Sequence, residues 1–162
     1  MKRSFFVILA LVSFLIIASS CSEKMPKGPE YVKHISTGST DPLGDILKNY
    51  KGNVTLVCLW ATWCGPCKQA HEILEPMKDD LKEVTFVYVT SSTSPEETWL
   101  EMIPDIKGDH FYITSEQMAT ILDEIDSGGY PTFLIIGRDG KILHKYIGYS
   151  NEIPSALKKA LE

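Results

Sequence analysis

The feature that most constrains the fold is a seven-residue run from Val54 to Trp60, Val-Thr-Leu-Val-Cys-Leu-Trp. The run is rich in the β-branched and aromatic residues that strands favour, and apolar residues are nearly continuous along it. A strand of this composition is covered on both faces, as in the parallel part of an α/β sheet. The run therefore predicts a central buried strand with helices packed against the sheet.

Strand-like and helix-like segments alternate after this run. Further strands are predicted at residues 84–90, 110–114, 132–136 and 142–147, and helices at 43–50, from 66 onward, at 94–103, at 115–125 and after 151. Ser94 and Ser115 are the expected N-caps of two of these helices. Early βαβ units followed by a late hairpin predict an α/β fold with a mixed central sheet and helices on both faces.

The first twenty residues have the order of an export signal. Two basic residues precede an uncharged apolar run from Phe5 to Ala18, and this run is shorter than the roughly 20 residues of a membrane span. Small residues then precede Cys21, as in the lipobox of bacterial lipoproteins, although Ala18 stands where that motif usually has Leu. We predict a lipoprotein signal peptide at residues 1–20 and lipidation of Cys21. The alternatives are cleavage without lipidation and a retained signal anchor.

Residues 21–40 are rich in Ser, Pro, Gly, Lys and Glu and show little periodicity. This composition predicts a flexible tether, followed by a folded domain at residues 41–162. The whole chain has a net charge of −5, and loss of the two basic residues of the signal peptide would make it more acidic. Nucleic acid is therefore not an expected partner.

The remaining cysteines indicate redox chemistry rather than a disulfide scaffold. If Cys21 is the anchor, Cys58, Cys64 and Cys67 remain, an odd number in a short stretch of chain. Cys64 and Cys67 lie where the central strand ends and a helix begins. A thiol attacks only as its thiolate, and the free N–H groups at a helix N-terminus stabilise that anion. We expect Cys64 to be the attacking thiol and Cys67, one turn inward, to be the resolving thiol.

Two motifs resemble the thioredoxin superfamily. The first is Trp63-Cys64-Gly65-Pro66-Cys67, which is similar to the signature of thioredoxin and of exported TlpA/ResA-like proteins. The second is Gly129-Tyr130-Pro131-Thr132 before a buried strand, which resembles the superfamily's cis-proline segment. The resemblance implies a thioredoxin-like fold and a thiol-disulfide oxidoreductase that acts on protein disulfides.

The resemblance also implies roles for individual residues. Cys64 and Cys67 would be catalytic, Pro131 would be the cis-proline, and Tyr130 would contact substrate. The other expected groove residues flank the attacking sulfur: Trp63, Gly65 and Pro66. The expected protein is a reductase that faces the periplasm on a lipid anchor and needs no cofactor. Its partners would be protein thiols and disulfides, the lipid bilayer and a membrane electron donor that regenerates it.

Two positions depart from the superfamily pattern. Cys58 replaces the buried Asp of thioredoxin, and Ala70 replaces the Glu of ResA-like members, so the resemblance supplies no proton acceptor for Cys67. Water or another carboxylate is then left to deprotonate Cys67. We interpret Cys58 as a small buried hydrophobe rather than a third redox thiol. Three of the four histidines have no partner at a suitable spacing and are expected at the surface or as packing residues: His34, His110 and His144.

Two other functions stay open from the sequence. A copper or other metal chaperone could use the dithiol together with His71, and a thioredoxin-like binding module would have no catalytic activity. We expect no structural metal site, because a structural zinc site needs four ligands in tetrahedral geometry and a thiol inside a buried strand is badly placed to be one.

Overall fold

A computed structural model describes residues 30–162 of the chain. Its strands are β1 (Val32–Lys33), β2 (Val54–Leu59), β3 (Val84–Ser91), β4 (Asp109–Ile113), β5 (Thr132–Ile136) and β6 (Ile142–Ile147). Its helices are α1 (Pro42–Leu47), α2 (Gly65–Leu74), α3 (Glu96–Met102), α4 (Ser115–Glu124) and α5 (Ile153–Leu161). Short 3-10 helices follow α1, α2 and α3 at Lys48–Tyr50, Glu75–Asp80 and Ile103–Asp105.

The six strands form one mixed sheet in the order β1-β4-β3-β2-β5-β6. β2 is parallel to β3 on one side and antiparallel to β5 on the other. All six residues of β2 are buried, as expected for a strand between two neighbours with both faces covered. The prediction of a central buried strand in a mixed sheet is confirmed.

Both faces of the sheet carry helices, and side chains alternate along β2 between two cores. Leu56 and Cys58 point into a core completed by α2, α3 and α5. Val57 and Leu59 point into a second core completed by α1 and α4. The predicted α/β architecture with helices on both faces is therefore confirmed, and α2 lies on the same face as Cys58.

The described chain joins the domain before the predicted boundary at residue 41. β1 pairs in parallel with β4, and the Ser36 carbonyl accepts a hydrogen bond from Gln117 Nε2 (2.7 Å). A two-residue edge strand has no periodicity that a sequence pattern could reveal. Residues 1–29, which include the predicted signal peptide, Cys21 and the first part of the predicted tether, lie outside the described residues.

Both expected serine N-caps are wrong. α4 is capped by Thr114, whose Oγ1 accepts a hydrogen bond from the Gln117 N–H (3.2 Å), while the Gln117 side chain accepts one from the Thr114 N–H (3.1 Å). This reciprocal pair is a capping box. α3 has Pro95 at its N-cap position without a side-chain bond, because the Ser94 side chain is used elsewhere. In residues 30–162, no helix is long and apolar enough to span a membrane.

Candidate active site

Cys64 and Cys67 lie where β2 gives way to α2 and are joined in a disulfide, with their Cα atoms 5.3 Å apart. Cys64 is the N-cap of α2, and its Sγ accepts a hydrogen bond from the backbone N–H of Cys67 (3.2 Å). Gly65 and Pro66 form the exposed start of the helix, where the missing N–H of proline costs no helical hydrogen bond. Cys64 has 6% of its surface exposed and Cys67 has none. This difference favours Cys64 as the thiol that an incoming disulfide meets first.

Ser94 holds the loop that leads from β2 to Cys64. Its Oγ accepts a hydrogen bond from the Thr62 backbone N–H (3.0 Å) and lies 3.1 Å from Thr90 Oγ1. Its own carbonyl accepts a hydrogen bond from the Tyr112 hydroxyl (2.6 Å). Ser94 is fully buried, and an unpaired buried N–H costs about 1–3 kcal/mol. Ser94 therefore fixes the backbone just before the attacking thiol, a role hidden in the sequence because Ser-Pro-Glu-Glu is also a typical helix start.

Two aromatic side chains form the surface beside the cysteine pair. Trp63 is 60% exposed, and its indole Nε1 donates to the Thr93 carbonyl (3.2 Å). Its ring packs edge-to-face on Tyr130, with the ring centroids 5.8 Å apart. The Tyr130–Pro131 peptide bond is cis, and the Pro131 carbonyl accepts a hydrogen bond from the Gly148 N–H (2.7 Å). The structure thus brings the cis-proline segment to the Cys-x-x-Cys loop.

The side chains that line the inner face of α2 form a second layer behind the pair. Cys58 is a free, buried thiol opposite Tyr88 in the β2–β3 register, and burial raises its pKa. His71 is 4% exposed, and its ring meets Trp60 and Tyr88 edge-on at centroid distances of 4.8 and 5.2 Å. Burial is the main reason that the pKa of His71 is lowered to about 4. The Cys58 thiol and the His71 imidazole are therefore both neutral at pH 7.

Lys78 and His110 close this second layer from the side. The Lys78 ammonium lies 4.8 Å from the centroid of the Tyr88 ring, pairs with Glu75 and is buried. His110 stacks on Tyr88 at 5.1 Å and lies 2.7 Å from the Ile106 carbonyl through Nε2. His110 is thus a core residue, whereas the other two histidines without an assigned role are exposed: His34 and His144.

The arrangement gives no support for a metal centre. Among residues 30–162, no group of three or more His, Cys, Asp or Glu side chains is placed to hold a metal ion. The set considered for the metal chaperone is accordingly not brought together as ligands: Cys58, Cys64, Cys67 and His71.

A mixed sheet covered on both faces, with a Cys-x-x-Cys disulfide at the start of α2 and a cis-proline before β5, defines a thioredoxin-like protein with a redox-capable dithiol. A family model described as Redoxin matches residues 22–161. The chain belongs to the Redoxin family.

Individual relatives agree with this assignment. The thiol:disulfide interchange protein CycY of Rhizobium leguminosarum bv. viciae is 29% identical over 113 residues, which cover 68% of this chain and 58% of that protein. The thiol-disulfide oxidoreductase ResA of Bacillus thuringiensis is 24% identical over 102 residues, or 63% and 59% of the two chains. The chain thus spans less than two thirds of the length of these relatives. The predicted resemblance to TlpA/ResA-like members of the thioredoxin superfamily is confirmed.

A solved structure shows the same fold. The thioredoxin domain of a thiol-disulfide oxidoreductase from Bacteroides vulgatus superposes with a TM-score of 0.63 at 21% identity. The superposition covers 72% of this chain and 84% of that one. The likeness confirms the predicted thioredoxin-like fold.

Proposed function

We propose that this protein is a thiol-disulfide oxidoreductase that exchanges disulfides with protein substrates through Cys64 and Cys67. The observation that carries the proposal is the disulfide between an N-cap cysteine with a small exposed surface and a fully buried cysteine one turn into α2. Relatives named for thiol-disulfide exchange support it.

The exchange proceeds in two displacements. The Cys64 thiolate attacks one sulfur of the substrate disulfide, which forms a mixed disulfide and releases the other substrate sulfur as a thiolate. The Cys67 thiolate then attacks Cys64 Sγ, forms the Cys64–Cys67 disulfide and releases the second substrate thiolate. Two electrons pass from the protein to the substrate, and thiols and disulfides are the only reactants.

The aromatic surface beside Cys64 is the proposed substrate groove. Trp63 offers an exposed ring beside the attacking sulfur and packs on the half-buried Tyr130. Gly65 and Pro66 leave the approach to this sulfur free of large side chains. Pro131 directly follows Tyr130 and precedes β5. In this proposal the five residues bind the polypeptide around the substrate disulfide.

We propose that the physiological direction is reduction, at the periplasmic face of a membrane. The Gly65-Pro66 pair between the cysteines resembles the reducing members of the superfamily, and a reductase in an oxidising compartment needs a membrane electron donor. We expect a reduction potential close to the roughly −270 mV of thioredoxin. Equilibration with glutathione buffers measures it, and a value near the roughly −120 mV of strong disulfide oxidants would contradict the reductase direction.

The proposed roles predict opposite behaviour of two cysteine variants. Cys64→Ser should abolish the reduction of insulin disulfides, whereas Cys67→Ser should accumulate mixed disulfides with insulin chains, because the second displacement is missing. Insulin turbidity measures the reduction, and non-reducing electrophoresis detects the mixed disulfides. Cys58→Ala is the control, because it keeps Cys64 and Cys67 intact. Insulin reduction by Cys64→Ser at the rate of the unmodified protein would contradict the proposal.

We also propose that Cys21 carries the lipid anchor. The support is the uncharged apolar run from Phe5 to Ala18 and the small residues before Cys21. Cys21→Ala should release the protein from bacterial membranes and leave its insulin reduction in solution unchanged. Membrane fractionation and labelling with radioactive palmitate measure this, and unchanged palmitate incorporation in the variant would refute the anchor.

A further inference from the structure

The proposed function raises a problem at Cys67. The second displacement requires its thiolate, but Cys67 has no exposed surface, and burial in apolar surroundings opposes the loss of a thiol proton. The Cys67 side chain belongs to the apolar core that β2 and α2 share. A neighbouring group must therefore receive the proton if the displacement is to be fast at neutral pH.

His71 follows Cys67 by four residues in α2. α2 buries one face, formed by Cys67, Ala70, His71 and Leu74. Residues four apart on a helix are neighbours, and helical side chains lean toward the N-terminus of their helix. His71 and Cys67 are therefore neighbouring positions on the buried face of α2.

His71 is also an unpaired buried base. Across the described part of the chain, neither of its ring nitrogens has a hydrogen-bond partner, although the residue is 4% exposed. Most buried polar groups in proteins are paired, so an unpaired imidazole calls for an explanation. His110, in the same aromatic stack, has its Nε2 within 2.7 Å of the Ile106 carbonyl. The lack of any partner distinguishes His71 from its neighbour.

His71 is one of the residues that line a surface cavity, although its two ring nitrogens have almost no exposed surface. The cavity has a volume of about 330 Å³ and lies between α2 and the C-terminal end of α3 with the segment that follows it. His71 lines it together with four carboxylates and one ammonium group: Glu72, Glu75, Glu101, Asp105 and Lys68. The carboxylate and ammonium groups of this lining are suitable hydrogen-bond partners for water. His71 thus stands between the core that contains Cys67 and an aqueous space.

We propose that His71 is the proton shuttle for Cys67. One ring nitrogen accepts the proton of the Cys67 thiol, and the other ring nitrogen gives its proton to water in the cavity. The Cys67 thiolate attacks Cys64 Sγ, the bond between Cys64 and the substrate sulfur breaks, and that sulfur leaves with the electron pair. The proton ends in solvent, and a change of tautomer returns the imidazole to its starting state.

The surroundings of His71 disfavour its charged form. Burial, reinforced by the positive charge of Lys78, lowers its pKa to about 4, so the imidazole is neutral at pH 7 and has one nitrogen free to accept a proton. The pKa values of Cys58 and Tyr88 are raised by burial, so neither group competes as an acceptor. The titratable groups around His71 come from β2, β3, β4, α2, α3 and the 3-10 helices that follow α2 and α3. They are Cys58, Cys67, Lys68, Glu72, Glu75, Lys78, Tyr88, Glu101, Asp105 and His110.

The test uses the full-length protein and measures separately the attack by Cys64 and the resolution by Cys67. The reduced protein is mixed with glutathione disulfide, and the glutathione adduct on Cys64 is followed by acid quenching and mass spectrometry. His71→Ala should form the adduct at the normal rate and resolve it about 10²-fold more slowly at pH 7, the usual lower range for a lost acid-base group. His71→Gln, which keeps a polar side chain of similar size, should show the same defect.

Two readouts distinguish a shuttle from a packing role. Free imidazole, which can enter the cavity, should restore resolution in His71→Ala, and the defect of both variants should shrink as the pH approaches the pKa of the thiol. His110→Gln is the matched control in the same stack and should resolve the adduct normally. Normal resolution in His71→Gln, or a slow resolution that neither imidazole nor high pH improves, would overturn the proposal. Failure of the unmodified protein to form any adduct would instead refute the proposed function.

Discussion

At the scale of single residues, Cys58 shows how position decides the chemistry of a thiol. Cys58 and Cys64 lie in one stretch of chain, but Cys58 is inside β2 with 1% of its surface exposed and Cys64 caps a helix. The strand offers no helix N-terminus to stabilise a thiolate, and burial raises the pKa of Cys58. The structure therefore supports the interpretation of Cys58 as a buried hydrophobe.

This interpretation predicts that two Cys58 variants differ in stability and agree in activity. Cys58→Ser should lower the free energy of unfolding by about 1–3 kcal/mol, because it buries a hydroxyl among apolar side chains. Cys58→Ala should cost less, and both should reduce insulin at the normal rate per folded molecule. Urea unfolding measures the first quantity. A changed reduction potential in Cys58→Ala would mean that the thiol takes part in exchange.

At the scale of elements, the helix starts show why cap positions cannot be read from residue type alone. Ser, Thr and Asp are all good N-caps, and Thr114 and Ser115 are adjacent. The structure selects Thr114 because Gln117 lies three residues later and completes the reciprocal pair. Ser115 is then the first residue of α4.

Thr114→Ala should therefore destabilise the protein by about 1 kcal/mol, the usual cost of a lost N-cap. Ser115→Ala should change the free energy of unfolding by less than about 0.5 kcal/mol, as a surface substitution does. Urea unfolding of the two variants at one pH gives a direct comparison. If Ser115→Ala proved the more damaging, the cap of α4 would be assigned to the wrong residue.

At the scale of the whole molecule, packing the sheet against α2 and α3 buries two histidines, His71 and His110, in one core region. Burial lowers the pKa of both. The unfolded chain, with histidine pKa values near 6.5, therefore binds protons before the folded protein does as the pH falls. Their contribution to stability is complete above about pH 6.5 and is lost as the pH falls below that value, for His71 down to about pH 4.

We expect the free energy of unfolding of the oxidised protein to fall between pH 7 and pH 4.5. His71 contributes at most about 3 kcal/mol, since one pKa unit corresponds to about 1.4 kcal/mol, and its pKa moves from 6.5 to about 4. His71→Gln should remove most of this dependence in urea unfolding at several pH values. Three carboxylates with lowered pKa values act only at lower pH: Asp45, Glu116 and Asp139. An unchanged slope in His71→Gln would show that another group is responsible.

Much of the fold and the central chemistry could be predicted from the sequence because local patterns encode them. The apolar run of β2, the hairpin of β5 and β6 and the Cys-x-x-Cys loop before α2 each depend on residues close together in the chain. Strand and helix periodicity tells which faces are buried. These signals were enough to predict an α/β sheet with a dithiol at the start of a helix.

The rest was decided by tertiary structure, since it depends on contacts between residues far apart in sequence. β1 exists because its backbone pairs with β4, and Ser94 leaves its expected cap to bind the Thr62 N–H, 32 residues away. His71 meets Tyr88 because α2 packs across β3. The sequence by itself determined which elements form and where the thiols lie along them. Packing determined which polar groups surround those thiols, because the register and stacking of elements bring together side chains that no local pattern connects.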